Sequence, residues 1–182
     1  MWLYILIAII AVLAIYVIVQ YNKLINARND VKEAFSTMDV YLKKRWDLVP
    51  NLVEVVKQYA KHEEDTFTQI TALRTGNYDE MLTNKKININ EQLTEGISKV
   101  MAVAENYPEL KASENFLNLS AELTKIEDEI ANSRKYYNGT VRNLNNKIQM
   151  FPSNIIATIF KFEQANMFEA NIEERNNVKV SL

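Results

Sequence analysis

The chain opens on nineteen residues, Met1 to Val19, without one charged side chain, and only beyond them do polar positions begin to punctuate the apolar ones. At about 1.5 Å per helical residue that stretch spans roughly 28 Å, close to the thickness of bilayer hydrocarbon. Trp2, Tyr4, Tyr16 and Tyr21 lie near its ends, where amphipathic rings favour the membrane interface. A helix that is apolar on every face has no stripe to turn toward water, so a membrane span is expected rather than a core helix. No Lys or Arg precedes the run, which separates it from a secretory signal and predicts an uncleaved anchor. Lys23, Arg28 and Lys32 follow it, partly offset by Asp30 and Glu33, and this excess of cations predicts that the following domain is cytoplasmic.

Past the span the pattern is helical. Leu24, Val31, Met38 and Arg45 recur every seven residues, with Ala27, Ala34, Phe35 and Leu42 between them, so one helix face is apolar. A second stripe reads Leu48, Leu52, Val55, Val56, Tyr59, Phe67, Ile70 and Leu73, and Gly76 can close it in the left-handed conformation. The polar, aperiodic residues from Thr75 to Asn90 predict a loop. Leu93, Ile97, Val100, Ala104 and Tyr107 mark a shorter helix that Pro108 stops. The longest series, Phe116, Leu123, Ile130, Tyr137, Leu144 and Phe151, keeps a seven-residue period, with Leu119, Ile126, Val141 and Ile148 at the alternate positions, and predicts coiled-coil-like packing. Ser133, Gly139 and Thr140 interrupt it with small residues where another backbone could come close. Asn138-Gly139 is a turn pair, but the heptad phase runs across it, so helix is expected. Pro152 ends the series, and residues 153–162 form a last amphipathic segment. The fold class expected is therefore all-α: a transmembrane helix (1–19), an antiparallel bundle of about four long helices (20–170), and a polar tail (171–182).

Composition narrows the chemistry. With three Gly, three Pro and no Cys in 182 residues, there is neither the turn supply of a sheet protein nor a thiolate metal site. The 21 basic and 23 acidic residues nearly cancel and are interspersed, so no nucleic-acid partner is expected. His62, Glu63, Glu64 and Asp65 raise a metal hypothesis, yet a zincin helix or a di-iron bundle needs a second histidine, and the chain has one. His62 falls on the stripe between Tyr59 and Thr66 and is expected to be a half-buried, hydrogen-bonded side chain. No phosphate cradle or nucleophile elbow accompanies these carboxylates. No catalytic residue, cofactor or metal is assigned, and a carboxylate- or metal-dependent hydrolase using His62 to Asp65 stays open as the alternative.

Two further groups of polar residues stand out. Pro50 lacks an N–H, and its ring collides with the preceding turn of a helix. Asp47, three residues earlier, is placed to cap a new helix. A break or sharp kink near Trp46 follows, with Asp47 as cap and Pro50 in the first turn; the functional alternative compatible with it is a docking site of Lys43, Lys44, Arg45 and an exposed Trp46 at that corner. Asn22 and Asn29 are seven apart, as are Asn138 and Asn145, which puts each pair on one helix face beside the apolar stripe. Arg28, Arg134, Asp39 and Glu54 are grouped with them, either as buried pairs that fix helix register or as the lining of a groove for a partner helix or peptide.

The blocks "YNKLINARNDVKEAFSTMDVYLKKRWDLVPNLVEVVKQYAKHE", "ENYPELKASENFLNLSAEL" and "RKYYNGTVRNLNNKIQMFP", behind the apolar N-terminus, resemble the LemA family in order and spacing. The family often carries Gly near the position of Lys161, where this chain has none. The resemblance implies a single-pass bacterial membrane protein with an antiparallel helical bundle and no accepted enzymatic activity. It also implies association with membrane protein quality control and envelope maintenance, sometimes alongside membrane metalloproteases, with one branch in magnetosome membranes. The partners expected are the lipid bilayer, other membrane proteins including a membrane protease, and further copies of the chain. The function expected is a non-catalytic scaffold or adaptor at the cell membrane.

Overall fold

The computed structural model describes residues 1–74 and 76–168, without the side chains of residues 64–66; the polar tail expected at 171–182 lies outside the described residues. The chain is all-α, as its periodicity demands, and no strand occurs among the described residues. The helices are α1 (Trp2–Tyr59), α2 (Glu64–Leu73), α3 (Thr83–Glu105), the single turn α4 (Pro108–Lys111), α5 (Glu114–Gln149) and α6 (Ser153–Ile159), with a 3-10 turn at Tyr78–Glu80. The described residues fall into two compact units, residues 1–37 with 133–167, and residues 38–132 with Phe168.

In the first unit α1 and α5 run antiparallel. Phe35 meets Tyr137 edge-on at 5.9 Å, while Ile148, eleven residues further along α5, packs with Leu24, eleven residues back along α1. α6 folds against the same end: Ile156 and Ala157 close on Leu24, with Val17, Tyr21 and Phe162 around them. α6 ends in a backbone clasp, in which the Phe162 N–H donates to Ala157 O at 2.9 Å and the Lys161 N–H to Thr158 O at 3.2 Å. Lys161 takes φ 54, the left-handed turn that such a clasp requires and that glycine usually supplies. α1 holds an apolar 18-residue window long enough to cross a membrane, none of it buried.

In the second unit α2 and α3 are antiparallel, with Lys99 reaching Gln69 at 3.4 Å. Gly96 lets them meet, since a Cβ there would lie 2.8 Å from Cγ1 of the buried Ile70. α1 contributes the buried face Leu42, Trp46, Val49, Leu52, Val53 and Val56, with Ala60 just past its end, and α5 the buried Phe116, Leu123, Ile126 and Ile130.

Several sequence expectations need correction. The break at Trp46 does not occur: α1 runs through Pro50 as 58 continuous residues. The spacing of its buried residues holds phase across the proline, and each buried Val or Leu contributes about 1.5–3 kcal/mol, so several together outweigh a proline penalty of about 3 kcal/mol. Asp47 consequently caps nothing; it forms an exposed pair with Lys43 at 2.6 Å, one turn back. The face beyond Leu48 is also displaced by this continuity, with Leu48 and Val55 half-buried and Tyr59 exposed. The loop expected up to Asn90 is shorter than its polarity suggested, because α3 begins at Thr83 and buries Lys86, Ile87, Ile89 and Asn90. Gly139 sits mid-helix with nothing within 4 Å of a Cβ, so no backbone comes close there. Phe151, the last member of the heptad series, lies beyond the end of α5 and is exposed.

A continuous α1 carries a measurable signature. Replacing Pro50 with Ala restores an N–H that can reach the Trp46 carbonyl and is expected to raise stability by about 1–3 kcal/mol. Asp47→Ala removes only an exposed i,i+4 pair and should change stability by less than about 0.5 kcal/mol. Thermal melts of the two variants read both effects; an inert Pro50→Ala with a damaging Asp47→Ala would mean that the helix restarts at Asp47.

A buried polar network as the candidate functional site

Arg45 occupies a heptad position of α1 among apolar neighbours and is fully buried. A guanidinium stripped of water needs its donors matched, and the second unit supplies acceptors from two other helices. Nη1 donates to both carboxylate oxygens of Glu127 on α5 at 2.9 Å and to Oγ1 of Thr94 on α3 at 3.0 Å. Nη2 donates to Asn90 O at 2.7 Å and Asn90 Oδ1 at 2.8 Å. Asn90, itself fully buried, is oriented by its amide nitrogen, which donates to Lys86 O at 2.8 Å. Thr94 is held in turn, its hydroxyl donating to Asn90 O at 3.0 Å.

Six residues back on α1, Asp39 forms a second knot. Lys86 Nζ meets Asp39 Oδ2 at 2.6 Å, and the Tyr78 hydroxyl donates to Oδ1 at 2.9 Å. The Lys86 ammonium also stands 4.6 Å from the centre of the Tyr78 ring, a favourable place for a cation. Burial above all, then the Asp39 charge and the bond donated to it, hold the Tyr78 phenol well above the usual tyrosine range. Trp46 packs on Tyr78 at 5.2 Å, and the Arg74 guanidinium lies 5.2 Å from the centre of the Trp46 ring. Two cations and two carboxylates thus neutralise one another, with Asn90 joining the pairs.

The polar residues singled out from sequence have separate fates. Arg45 and Asp39 come together in this network, and Trp46, expected on the surface, is buried at 4% exposure. That overturns the docking corner, which leaves only Lys44 exposed and Lys43 half-buried. Asn22, Asn29 and Arg28 are exposed and do not reach the core stripe, although the Arg28 guanidinium lies 5.4 Å from the Phe162 ring. Asn138 and Arg134 are half-buried. Asn145 clamps the chain after α6, accepting from the Ala165 N–H at 3.0 Å and donating to Ala165 O at 2.9 Å. Glu54 is exposed beside a surface hollow shared by α1 and α2, near Pro50, Lys57 and Arg74. His62 is exposed in the turn after α1, not half-buried, because the core face of that helix ends at Ala60. Among the described residues no group of three His, Cys, Asp or Glu side chains could hold a metal; the side chains of Glu64 and Asp65 lie outside the described residues.

Asn90, Lys86, Thr94, Tyr78 and Glu127 were not found by periodicity. The signal available was Arg45 itself, a charge on an apolar stripe that demands partners without saying where in the chain they are. Beside the network, Tyr41, Lys44, Asp47, Leu48 and Asn51 of α1 face Glu122, Lys125, Ile126 and Glu129 of α5 across an open groove of about 490 Å³.

An all-α protein whose first helix is long and apolar enough to cross a membrane, and whose second unit is pinned around a buried arginine, is the class these features define. Residues 34–182 match the sequence profile of the LemA family, and the chain belongs to that family. Protein LemA of Metamycoplasma hominis is 28% identical over 162 residues, which cover 88% of this chain and 74% of that protein. Magnetosome protein MamQ 2 of Paramagnetospirillum magneticum is 25% identical over 178 residues, covering 84% of this chain. Magnetosome protein MamQ of Magnetospirillum gryphiswaldense is 22% identical over 178 residues, covering 83% of it. The chain spans 65% of the length of each magnetosome relative. Asp39 through Glu127, the whole network, lies inside the family match.

Breaking the network from one side should cost far more than removing it. Glu127→Ala leaves the Arg45 charge buried with neutral acceptors and is expected to destabilise by about 3–5 kcal/mol, whereas the pair Arg45→Met with Glu127→Leu should recover most of that. Urea denaturation of the three proteins measures it, and additive losses in the double variant would show that the ion pair is not the unit of stability.

Tyr78 sets an alkaline limit. Its folded pKa is raised above an unfolded value of about 10, so its contribution is fully present below about pH 10 and is lost as pH climbs toward the folded value. The urea midpoint of the native chain should therefore fall more steeply above about pH 10 than that of Tyr78→Phe; parallel profiles would place the alkaline sensitivity elsewhere.

Proposed function

We propose that this chain is a non-catalytic scaffold or adaptor held at the bacterial cell membrane by residues 1–19 as an uncleaved, single-pass anchor, with the remainder in the cytoplasm. The observation that carries the reading is α1: its apolar window is wholly unburied, yet the same helix supplies the buried arginine around which the second unit is built. The polar chemistry fits a frame rather than a reactive centre, since the network's cations and carboxylates face each other across three helices. The groove of Tyr41, Leu48 and Ile126, rimmed by charges of both signs, is the surface offered to a partner. Other membrane proteins, a membrane protease among them, and further copies of the chain are the partners that family resemblance favours, in protein quality control or envelope maintenance.

Fractionation and crosslinking test this together. The chain should stay in the carbonate-washed membrane pellet with Met1 or Trp2 at its N-terminus. A reporter fused after Leu182 should work only in its cytoplasmic form, and a photo-crosslinker at Leu48 should give discrete adducts with membrane proteins. A mature chain starting after Val19 would remove the anchor. Activity of an export-dependent reporter would reverse the orientation, and stoichiometric metal with hydrolytic activity that disappears in His62→Ala would replace the scaffold with an enzyme.

A further inference from the structure

The first unit exposes an apolar surface that the proposed anchor does not account for. From Met150 to Phe160 there is no charged side chain, and Lys147 and Lys161 flank the stretch. α6 turns Ile156 and Ala157 inward against Leu24. Its other face leaves Ile155, Ile159 and Phe160 exposed, and the preceding turn adds Met150 and Phe151, with Phe151 at 78% and Ile159 at 64% exposure. Five large apolar side chains within eleven residues form a patch that water-soluble surfaces seldom keep uncovered.

The position of the patch identifies its cover. α6 and Phe162 pack on Val17 and Tyr21, and Tyr21 lies 4.7 Å from the Phe160 ring and 5.8 Å from that of Phe162. Val17 and Tyr21 stand two residues on either side of Val19, the end of the expected span, so α6 packs on α1 within about 3 Å of that point along the helix axis. A short apolar segment fixed at that depth, with a lysine at each end, has the composition of an interfacial element: apolar side chains enter the acyl boundary while lysine stems carry their ammonium groups out to the lipid phosphates.

We propose that residues 150–160 dip into the membrane leaflet at which α1 emerges, so that the first unit meets the lipid at two places, the span and the α5–α6 corner. This rests on the reading of residues 1–19 as a span, and the test separates the two. The chain has no cysteine, so single cysteines replacing Ile10, Ile159 and Asn29 can carry an environment-sensitive nitrobenzoxadiazole label. All three positions are exposed, which keeps the label out of the core. Asn29, ten residues past Val19, stands about 15 Å beyond the span along the helix.

The full chain is reconstituted in phosphatidylcholine–phosphatidylglycerol vesicles with and without acyl-brominated phosphatidylcholine. Expected is loss of most label emission at Ile10→Cys and Ile159→Cys in brominated vesicles, and little at Asn29→Cys. Quenching at Ile10→Cys with Ile159→Cys as bright as Asn29→Cys overturns the dip and leaves the anchor standing; a blue-shifted but unquenched Ile159→Cys label overturns it in favour of a second copy covering the patch. If Ile10→Cys is itself unquenched, the anchor fails and the proposal fails with it.

Discussion

A guanidinium with no access to water is the constraint on which the second unit depends. Leaving Arg45 buried and unmatched would cost several kcal/mol, so α3 and α5 must both present acceptors at one point along α1. Asn90 does this twice, through its backbone and its side-chain oxygen, and Glu127 closes the other side of the fork. Sliding α1 by one turn, about 5.4 Å, would break every one of those bonds, and sliding α3 or α5 would break its own share of them. Apolar packing alone tolerates such slips far better, because one leucine layer resembles the next. Arg45 is thus less a source of net stability than a means of choosing one register among many, the use for which buried polar groups are best suited.

The same logic explains why α1 accepts Pro50. Its penalty is local and is confined to the turn that begins at Trp46, whose side chain is buried against Tyr78. Breaking the helix there would move Val49, Leu52, Val53 and Val56 out of phase with Leu42 and Arg45, giving up both the apolar face and the geometry of the fork. A proline rule derived from isolated helices is overruled when the residues on either side are committed to one core.

This separates what periodicity could reveal from what it could not. The all-α class, the apolar lead and the course of α5 across Asn138-Gly139 were legible because a repeat of three to four residues survives single exceptions. Arg45 falls on that repeat as well, yet its charge grouped it with Lys43 and Lys44 as a surface residue. Its partners were not legible: Asn90 lies 45 residues away and Glu127 82 residues away, and hydrogen-bond complementarity has no period. Asn90 and Lys86 even concealed the start of α3, since polar residues in core positions look like loop until their partners are known. Trp46 was misjudged for the related reason that a cluster of cations beside it suggested surface, while the helix carried Arg45 and Trp46 inward together and left Lys44 outside.

Apolar residues on α1 meet two different environments, and the distinction lies in angle rather than in composition. Before Val19 they cover every face and none of the apolar window is buried; from Leu24 onward most of them keep to one face and are buried against other helices, with Val40 and Tyr59 left exposed. Val17 and Tyr21 stand where one regime gives way to the other, and α6 packs at that point. It must therefore satisfy both environments, with Ile156 and Ala157 toward protein and Ile155, Ile159 and Phe160 away from it. Lys161 closes the segment at φ 54, a conformation that costs a non-glycine residue roughly 1–2 kcal/mol. The left-handed turn is the geometry that returns Phe162 to the Tyr21 side of α6, so the backbone cost and the aromatic packing are two consequences of ending that helix against α1.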